Sequence, residues 1–249
     1  MQLLRVEQAD WLSNAYLVVD RPGGSGVLVD SNGELAPLLE AAERDGTKIT
    51  HFLLTHSHAD HVVDVLEIAD SLGVPVLASA ECAEQLDFEV DATFSDGEKI
   101  SSGDLEIEVI PTPGHCAGHC ALLFDGSDVI TADLIFKGTV GGTMAPHATG
   151  FEDLKSSIMD RLMSLGDAVR IHPGHREPST IGAEREQNPF VRIWRGEDSE
   201  GSESCRVGGE DGDEATLILW APDYDGTNKA WVRFPDGRDA ITGGSQISR

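Results

Sequence analysis

The sequence predicts an α/β (α+β) fold in which sheets pack on one another with helices outside them. Two strand-rich stretches follow one another along the chain, and each gives way to helical periodicity. The chain is 249 residues long and 40% apolar, enough to bury one large core.

The elements are read in chain order. Short β-type runs come first at Leu3 to Val6, Ala15 to Asp20 and Gly26 to Asp30, separated by turns such as Arg21-Pro22-Gly23-Gly24. A helical pattern covers Glu34 to Arg44. Ile49 to Thr55 reads as a buried strand, and Val62, Val65, Leu66 and Ala69 then recur at helical spacing. Val74 to Ala78 is a strand and Ala80 to Leu86 a short helix. The second strand-rich stretch holds Glu98 to Ile100, Leu105 to Ile110, Cys120 to Phe124 and Asp128 to Thr131. A helix over Phe151 to Leu165, a strand at Ala168 to Ile171 and a helix over Thr180 to Gln187 follow, with Glu184 supporting the first turn of the last. These elements form one domain, 1–195. Gly196 to Glu214 has eight acidic residues and one Arg, and reads as an exposed linker, 196–214. Thr216 to Trp220 and Ala230 to Phe234 then give a small β-hairpin-like extension, 215–249, too short to stand alone and expected to dock on the main body.

Composition narrows the function. Lys plus Arg number 18 against 44 Asp plus Glu, a formal charge of −26. Such a surface repels phosphate backbones and anionic lipid, so neither nucleic acid nor membrane is an expected partner. No apolar run is long enough to span a bilayer, and the N-terminus MQLLRVEQADWLSNAY lacks the pattern of a secretory signal. Four scattered cysteines do not make a disulfide scaffold. The expectation is a cytoplasmic protein, monomer or homodimer, acting on a small molecule.

The chemistry concentrates in Thr55-His56-Ser57-His58-Ala59-Asp60-His61, where a strand feeds a loop and a helix leaves it. His56 and His58 are two apart, so extended backbone puts their side chains on one side. Asp60 and His61 fall where the chain turns into the helix. Four such residues in six positions suit zinc, iron or manganese. Three more ligand-type residues follow strands: His115 in Pro111-Thr112-Pro113-Gly114-His115, Asp133 in Thr131-Ala132-Asp133, and His175 in Pro173-Gly174-His175.

In this order of motifs, HxHxDH, PGH, Asp after a strand, then PGH, the sequence resembles the metallo-β-lactamase superfamily, and within it the glyoxalase II-like hydrolases. The resemblance covers roughly residues 1–195, and Pro173 to Phe190, PGHREPSTIGAEREQNPF, carries it especially. It implies a four-layer αββα sandwich with a metal site at one edge of the two sheets. It implies two divalent ions, zinc by default and iron or manganese as alternatives. His56, His58 and His115 match the ligands of the first ion, Asp60, His61 and His175 those of the second, and Asp133 the bridge. The implied chemistry is attack by a metal-bridged hydroxide on a thioester or related ester or lactone, with Asp60 also orienting the water. Alternatives are a mononuclear-iron persulfide dioxygenase of the same superfamily and, further off, a β-lactamase or a non-catalytic metal-binding member.

The pattern departs from the glutathione thioesterases at two places. Gly142 stands where a basic residue is usual after Asp133, and Arg176-Glu177-Pro178 follows the last PGH without the usual Tyr. Lys137 and Arg176 are candidates to receive an anionic group, and His147 to overhang the site. His119 and Cys116 flank His115 as outer neighbours, and His51 and His172 read as structural. Trp220, Tyr224 and Trp231 read as packing of the extension against the body.

Overall fold

The computed structural model describes all 249 residues, Met1–Arg249. Strands Gln2–Glu7, Asn14–Val19, Ser25–Val29, Lys48–Leu53, Val76–Ser79 and Ala92–Phe94 lie side by side in that order. The first three pair antiparallel and the rest join in parallel. Parallel neighbours need crossovers, which helices Ala36–Asp45 and Val65–Leu72 supply. A second six-stranded sheet runs Ser179–Thr180, Arg170–Pro173, Asp128–Ala132, Cys120–Phe124, Leu105–Pro111 and Lys99–Ser102.

Period-two alternation sorts the strand residues into layers. Leu17, Val19 and Leu28 face outward onto Leu38, Ala42, Val65 and Ala69 of the helices. Tyr16, Val18, Val27 and Val29 face inward and meet Ile107, Val109, Leu122, Phe124 and Ile130 of the second sheet. The outer face of that sheet buries Leu123, Val129 and Ile171 with Phe151, Leu154, Ile158 and Leu162. Helix, sheet, sheet and helix therefore stack as four layers, as expected from the sequence. No helix is long and apolar enough to cross a membrane.

Three local readings change. The helix expected over Phe151 to Leu165 is α-helical only over Phe151–Ser156, widens to a π turn over Ser157–Arg161 and tightens at Leu162–Ser164. The changes of winding leave Leu154, Ile158 and Leu162 fully buried, four residues apart. Glu184 does more than support its helix start, where it accepts from Ser179 Oγ. It is buried, accepts hydrogen bonds from Gly138 N–H and Asn188 Nδ2, both at 2.9 Å, and so ties the helix to the hairpin of Ile135–Phe136 and Thr139–Val140. The acidic stretch is not all linker: Glu203–Val207 is a strand whose Cys205 and Val207 point into a small core while Glu203 and Ser204 stay exposed. Its charge hid the alternation.

The chain beyond that strand is correspondingly more than a hairpin. Asp239–Gly243, Asn228–Arg233, Asp213–Pro222, Glu203–Val207 and Ile247–Ser248 form a five-stranded sheet. Ile218, Trp231 and Ile241 on one of its faces join the core of the main body, where Trp231 stacks on Phe151 at 5.0 Å.

Under the second sheet, Asp128 is completely buried and receives Arg170 at 2.6 and 2.8 Å, His172 Nε2 at 2.8 Å and Ser127 Oγ at 2.7 Å. Burial alone would raise its pKa, but Arg170, His172 and Ser127 outweigh that and hold it below the usual carboxylate range. A depressed carboxylate stabilises the fold above its unfolded pKa and loses that contribution as pH falls toward the folded value. Asp128→Asn is expected to cost about 1.5–3 kcal/mol in urea unfolding at pH 7, with the gap to the wild type closing through the acid range.

Candidate metal centre

Each candidate donor stands just beyond the carboxyl end of a strand, on one edge of the sandwich. Lys48–Leu53 leads to His56, His58, Asp60 and His61; Leu105–Pro111 leads to His115, Asp128–Ala132 to Asp133 and Arg170–Pro173 to His175. Two strands come to this edge from neighbouring parallel positions, Asp128–Ala132 and Arg170–Pro173, so Asp133 and His175 are brought together by sheet register. The pairing slips between Ile130 and Ala132, and Ala132 takes φ 41°, which turns Asp133 inward.

The seven side chains converge. His56, His58, His115 and Asp133 offer donor atoms within 4.8 Å of one another, and so do Asp60, His61 and His175. Asp133 lies between the groups: its Oδ2 is 4.0 Å from His56 Nε2, 3.5 Å from His115 Nε2 and 3.4 Å from His175 Nε2, and its Oδ1 is 3.4 Å from His61 Nε2. Asp60 Oδ2 reaches His61 and His175 Nε2, both at 3.5 Å. His115 Nε2 and His58 Nδ1 face each other at 2.9 Å.

The outward nitrogens of these rings are all engaged. His115 Nδ1 donates to Gly142 carbonyl at 2.8 Å, His175 Nδ1 to Trp11 carbonyl at 3.1 Å and His58 Nε2 to Pro146 carbonyl at 3.2 Å. His61 Nδ1 donates to Asp30 Oδ2 at 3.1 Å. Thr55 gives its N–H and hydroxyl to Asp30, so its oxygen is left to accept from His56 Nδ1 at 3.0 Å. The outward nitrogens are thereby taken, so each imidazole in its neutral form presents a lone pair inward. His56 Nε2, His61 Nε2 and Asp133 Oδ1 are buried and form no hydrogen bond. Buried polar atoms are rarely left so, and orphaned acceptors aimed at one space fit divalent cations.

Protonation follows burial and charge. Burial, then the neighbouring His61, holds His56 well below the ordinary imidazole range, and burial brings His115 down to about 4 and His119 to about 3. His61 is pushed the other way. Burial acts to lower it, but Asp133, Asp30 and Asp60 together raise it well above the ordinary value. Asp133, which burial would raise, is held well below the carboxylate range by His175 and His61. A cation entering beside His61 therefore displaces a proton.

Close packing makes side chains untenable at one position. A Cβ on Gly174 would lie 2.1 Å from Asp133 Oδ1, so the PGH motif needs its glycine there to admit the carboxylate. The site edge is also strained: of seven non-glycine residues with positive φ, Leu12, Asp30, Asp64, Ala132, His147 and Arg176 all adjoin donors or their supports.

The other expected residues divide. The Pro146 contact shows the Met144–His147 loop overhanging His58, with His147 exposed. Lys137 sits exposed on a hairpin turn. Arg176 is not free for substrate: it binds Glu7 at 3.3 Å and the Tyr224 carbonyl at 3.3 Å. His119 stands behind His56 at 5.1 Å between centroids, bonded to Thr112 Oγ1, and Cys116 joins Ser57 and Gln85 in an outer network. His172 serves Asp128 and half-buried His51 bonds Thr50, both away from the donors. One residue was missed from sequence, Asp30, and Tyr224, read there as packing of the extension, lies against a donor. Asp30 carried a signal, an acid ending the buried run GVLV; Tyr224, whose ring lies on His175, carried none. Its phenol is pushed upward by burial, then by Asp133, Asp223 and Asp60, and stays neutral.

A family model described as "Metallo-beta-lactamase superfamily" matches residues 9–175. Hydroxyacylglutathione hydrolase GloC of Haemophilus influenzae is 30% identical over 187 residues, covering 67% of this chain and 87% of that protein. An uncharacterized protein of Mycobacterium tuberculosis is 30% identical over 209 residues, 72% of this chain and 92% of its own. Among solved structures, TTHA1623 in a di-iron-bound form is similar at TM-score 0.65 and 31% identity, over 75% of this chain and 99% of that one. ETHE1 from Myxococcus xanthus is similar at TM-score 0.68 and 27% identity, over 77% and 84%.

Two substitutions test the supports. Gly174→Ala should displace the Asp133 carboxylate, and Asp30→Asn should loosen His61 and Thr55. Each is expected to weaken divalent-cation binding about 10–100-fold in calorimetric titration of the apoprotein while the far-UV spectrum is unchanged.

Proposed function

The chain belongs to the metallo-β-lactamase superfamily, and from that premise we propose that it is a metal-dependent hydrolase of a thioester or a related carboxylic ester or lactone. The observation that carries this reading is the completeness of both donor groups about one shared carboxylate, Asp133. Two divalent cations held there, zinc being the expected pair and iron the competing one, would acidify a shared water toward pKa ~7 and polarise the acyl carbonyl.

The chain's own groups do the rest. His56, His58 and His115 would hold one cation and Asp60, His61 and His175 the other, with Asp133 between the two groups. Asp60 is the less buried carboxylate, 24% exposed at its side chain against 9% for Asp133, so its free edge accepts a hydrogen bond from the attacking water and orients the oxygen toward the acyl carbon. Asp30, Gly142 and Trp11 keep the imidazoles from swinging as charge develops. A departing thiolate is a weak base and leaves without a dedicated acid. The hydrolase name of the Haemophilus relative and the two irons of the solved TTHA1623 both support a two-ion hydrolytic site.

The rival reading, a one-iron persulfide dioxygenase, leaves the intact set of Asp60, His61 and His175 without a task. Elemental analysis of protein purified without added metal is expected to give close to two ions per chain, and a panel of acyl thioesters, lactones and a chromogenic β-lactam to show turnover of a thioester or lactone. Asp133→Ala should abolish that turnover and release metal. One iron per chain, with oxygen consumed on adding a persulfide, would overturn the proposal.

A further inference from the structure

The C-terminal sheet, which lies beyond the family match, touches the donor cluster at two points. The turn between Asp213–Pro222 and Asn228–Arg233 carries Tyr224, whose ring lies nearly parallel to the His175 imidazole, 4.4 Å away at 14°. Phe136 packs on the same phenol ring at 4.7 Å and edge-on to His175 at 5.6 Å. The turn is held firmly. Arg176 Nε donates to Tyr224 carbonyl, and Asp223 pairs with Lys229 at 2.9 Å with both side chains buried. At the second point Ile241 exchanges two 2.8 Å bonds with Thr143, next to the Gly142 carbonyl that holds His115. One sheet thus braces the His175 and His115 sides together.

We infer that Tyr224 is a positioning and specificity-determining residue: it holds His175 in plane and gives the cleft an uncharged aromatic wall, so that the site takes uncharged, apolar acyl thioesters in preference to anionic ones. Aromatic faces stack on flat or apolar groups, and a neutral phenol adds no attraction for an anion. Two exposed apolar side chains belong to segments that hold the donors. Trp11, 47% exposed, supplies the carbonyl that holds His175, and Met144, 52% exposed, lies two residues from Gly142. Of the cations near Tyr224, Arg176 is paired with Glu7, and Lys229, whose ammonium lies 5.5 Å over the Tyr224 ring, is paired with Asp223. The net charge of −26 opposes the approach of an anionic carrier from solution.

The substrate half of this inference rests on the hydrolase reading; the hold on His175 does not, and the test separates them. Apoprotein of the wild type, Tyr224→Phe and Tyr224→Ala is titrated with Zn²⁺ by calorimetry. The loaded proteins are then assayed with the benzoyl thioester of N-acetylcysteamine, which is uncharged, and with a benzoyl glutathione thioester. Tyr224→Ala is expected to weaken the weaker Zn²⁺ step by about tenfold or more, while Tyr224→Phe, which keeps the stacked ring, binds like the wild type. Tyr224→Ala should also raise KM for the uncharged thioester by about tenfold with kcat within about threefold, and Tyr224→Phe should restore it. Unchanged Zn²⁺ binding in Tyr224→Ala overturns the hold on His175, and a wild type that prefers the glutathione thioester overturns the specificity. If the wild type cleaves neither compound, the hydrolase reading and the specificity drawn from it both fall, and the Zn²⁺ titration still decides whether Tyr224 holds His175.

Discussion

Asp133 is a buried carboxylate approached by four imidazole nitrogens at 3.4–4.0 Å, and the architecture around it exists to keep it there. A carboxylate stripped of water is costly unless cationic partners surround it. Here the imidazoles that would hold such cations beside it come from loops that lie far apart in the chain, so the two sheets have to close correctly before any of them is in reach. The glycine of the second PGH clears space for the carboxylate, and the slipped pairing at Ala132 aims it. A misplacement of either strand end would leave a charge in a dry pocket with nothing to answer it.

The strained residues follow the same logic. Backbone in the left-handed region costs of order 1–3 kcal/mol for an ordinary residue. Six such residues crowd the edge that carries the donors, while central strands of the two sheets, Asn14–Val19 and Asp128–Ala132, are buried completely. Regular, densely packed sheets supply the stability, and the loops at their ends use some of it to hold otherwise unfavourable shapes. Asp30 shows both sides: its φ of 57° is unfavourable, yet its two oxygens organise Thr55, His56 and His61.

Much of the site could be read directly from residue order because its ligands are locally encoded. His56, His58, Asp60 and His61 lie in one loop, and His115, Asp133 and His175 each follow a recognisable strand. The layered body was legible for a related reason: strands such as NAYLVV are buried on both faces and read as apolar runs. What escaped depends on contacts between distant segments. Nothing adjacent to Tyr224 or Trp11 announces that His175 lies against them. Arg176 looked available because its partners, Glu7 and the Tyr224 carbonyl, are remote in sequence. The strand Glu203–Val207 was masked by charges that occupy its exposed side, where solvent tolerates them at little cost.

The shared core of the C-terminal sheet and the main body bears on how the protein comes into being. Ile218, Trp231 and Ile241 are buried with Phe151 and Leu154, so the outer core of the second sheet is left open on one side until the C-terminal sheet covers it, while the cores on either face of the first sheet are complete without it. Domains tend to fold from the N-terminus during synthesis, and here every metal donor leaves the ribosome before Tyr224 and Ile241 do. The nascent chain therefore carries all seven candidate donors before the segments that pack against His175 and Gly142 have been made.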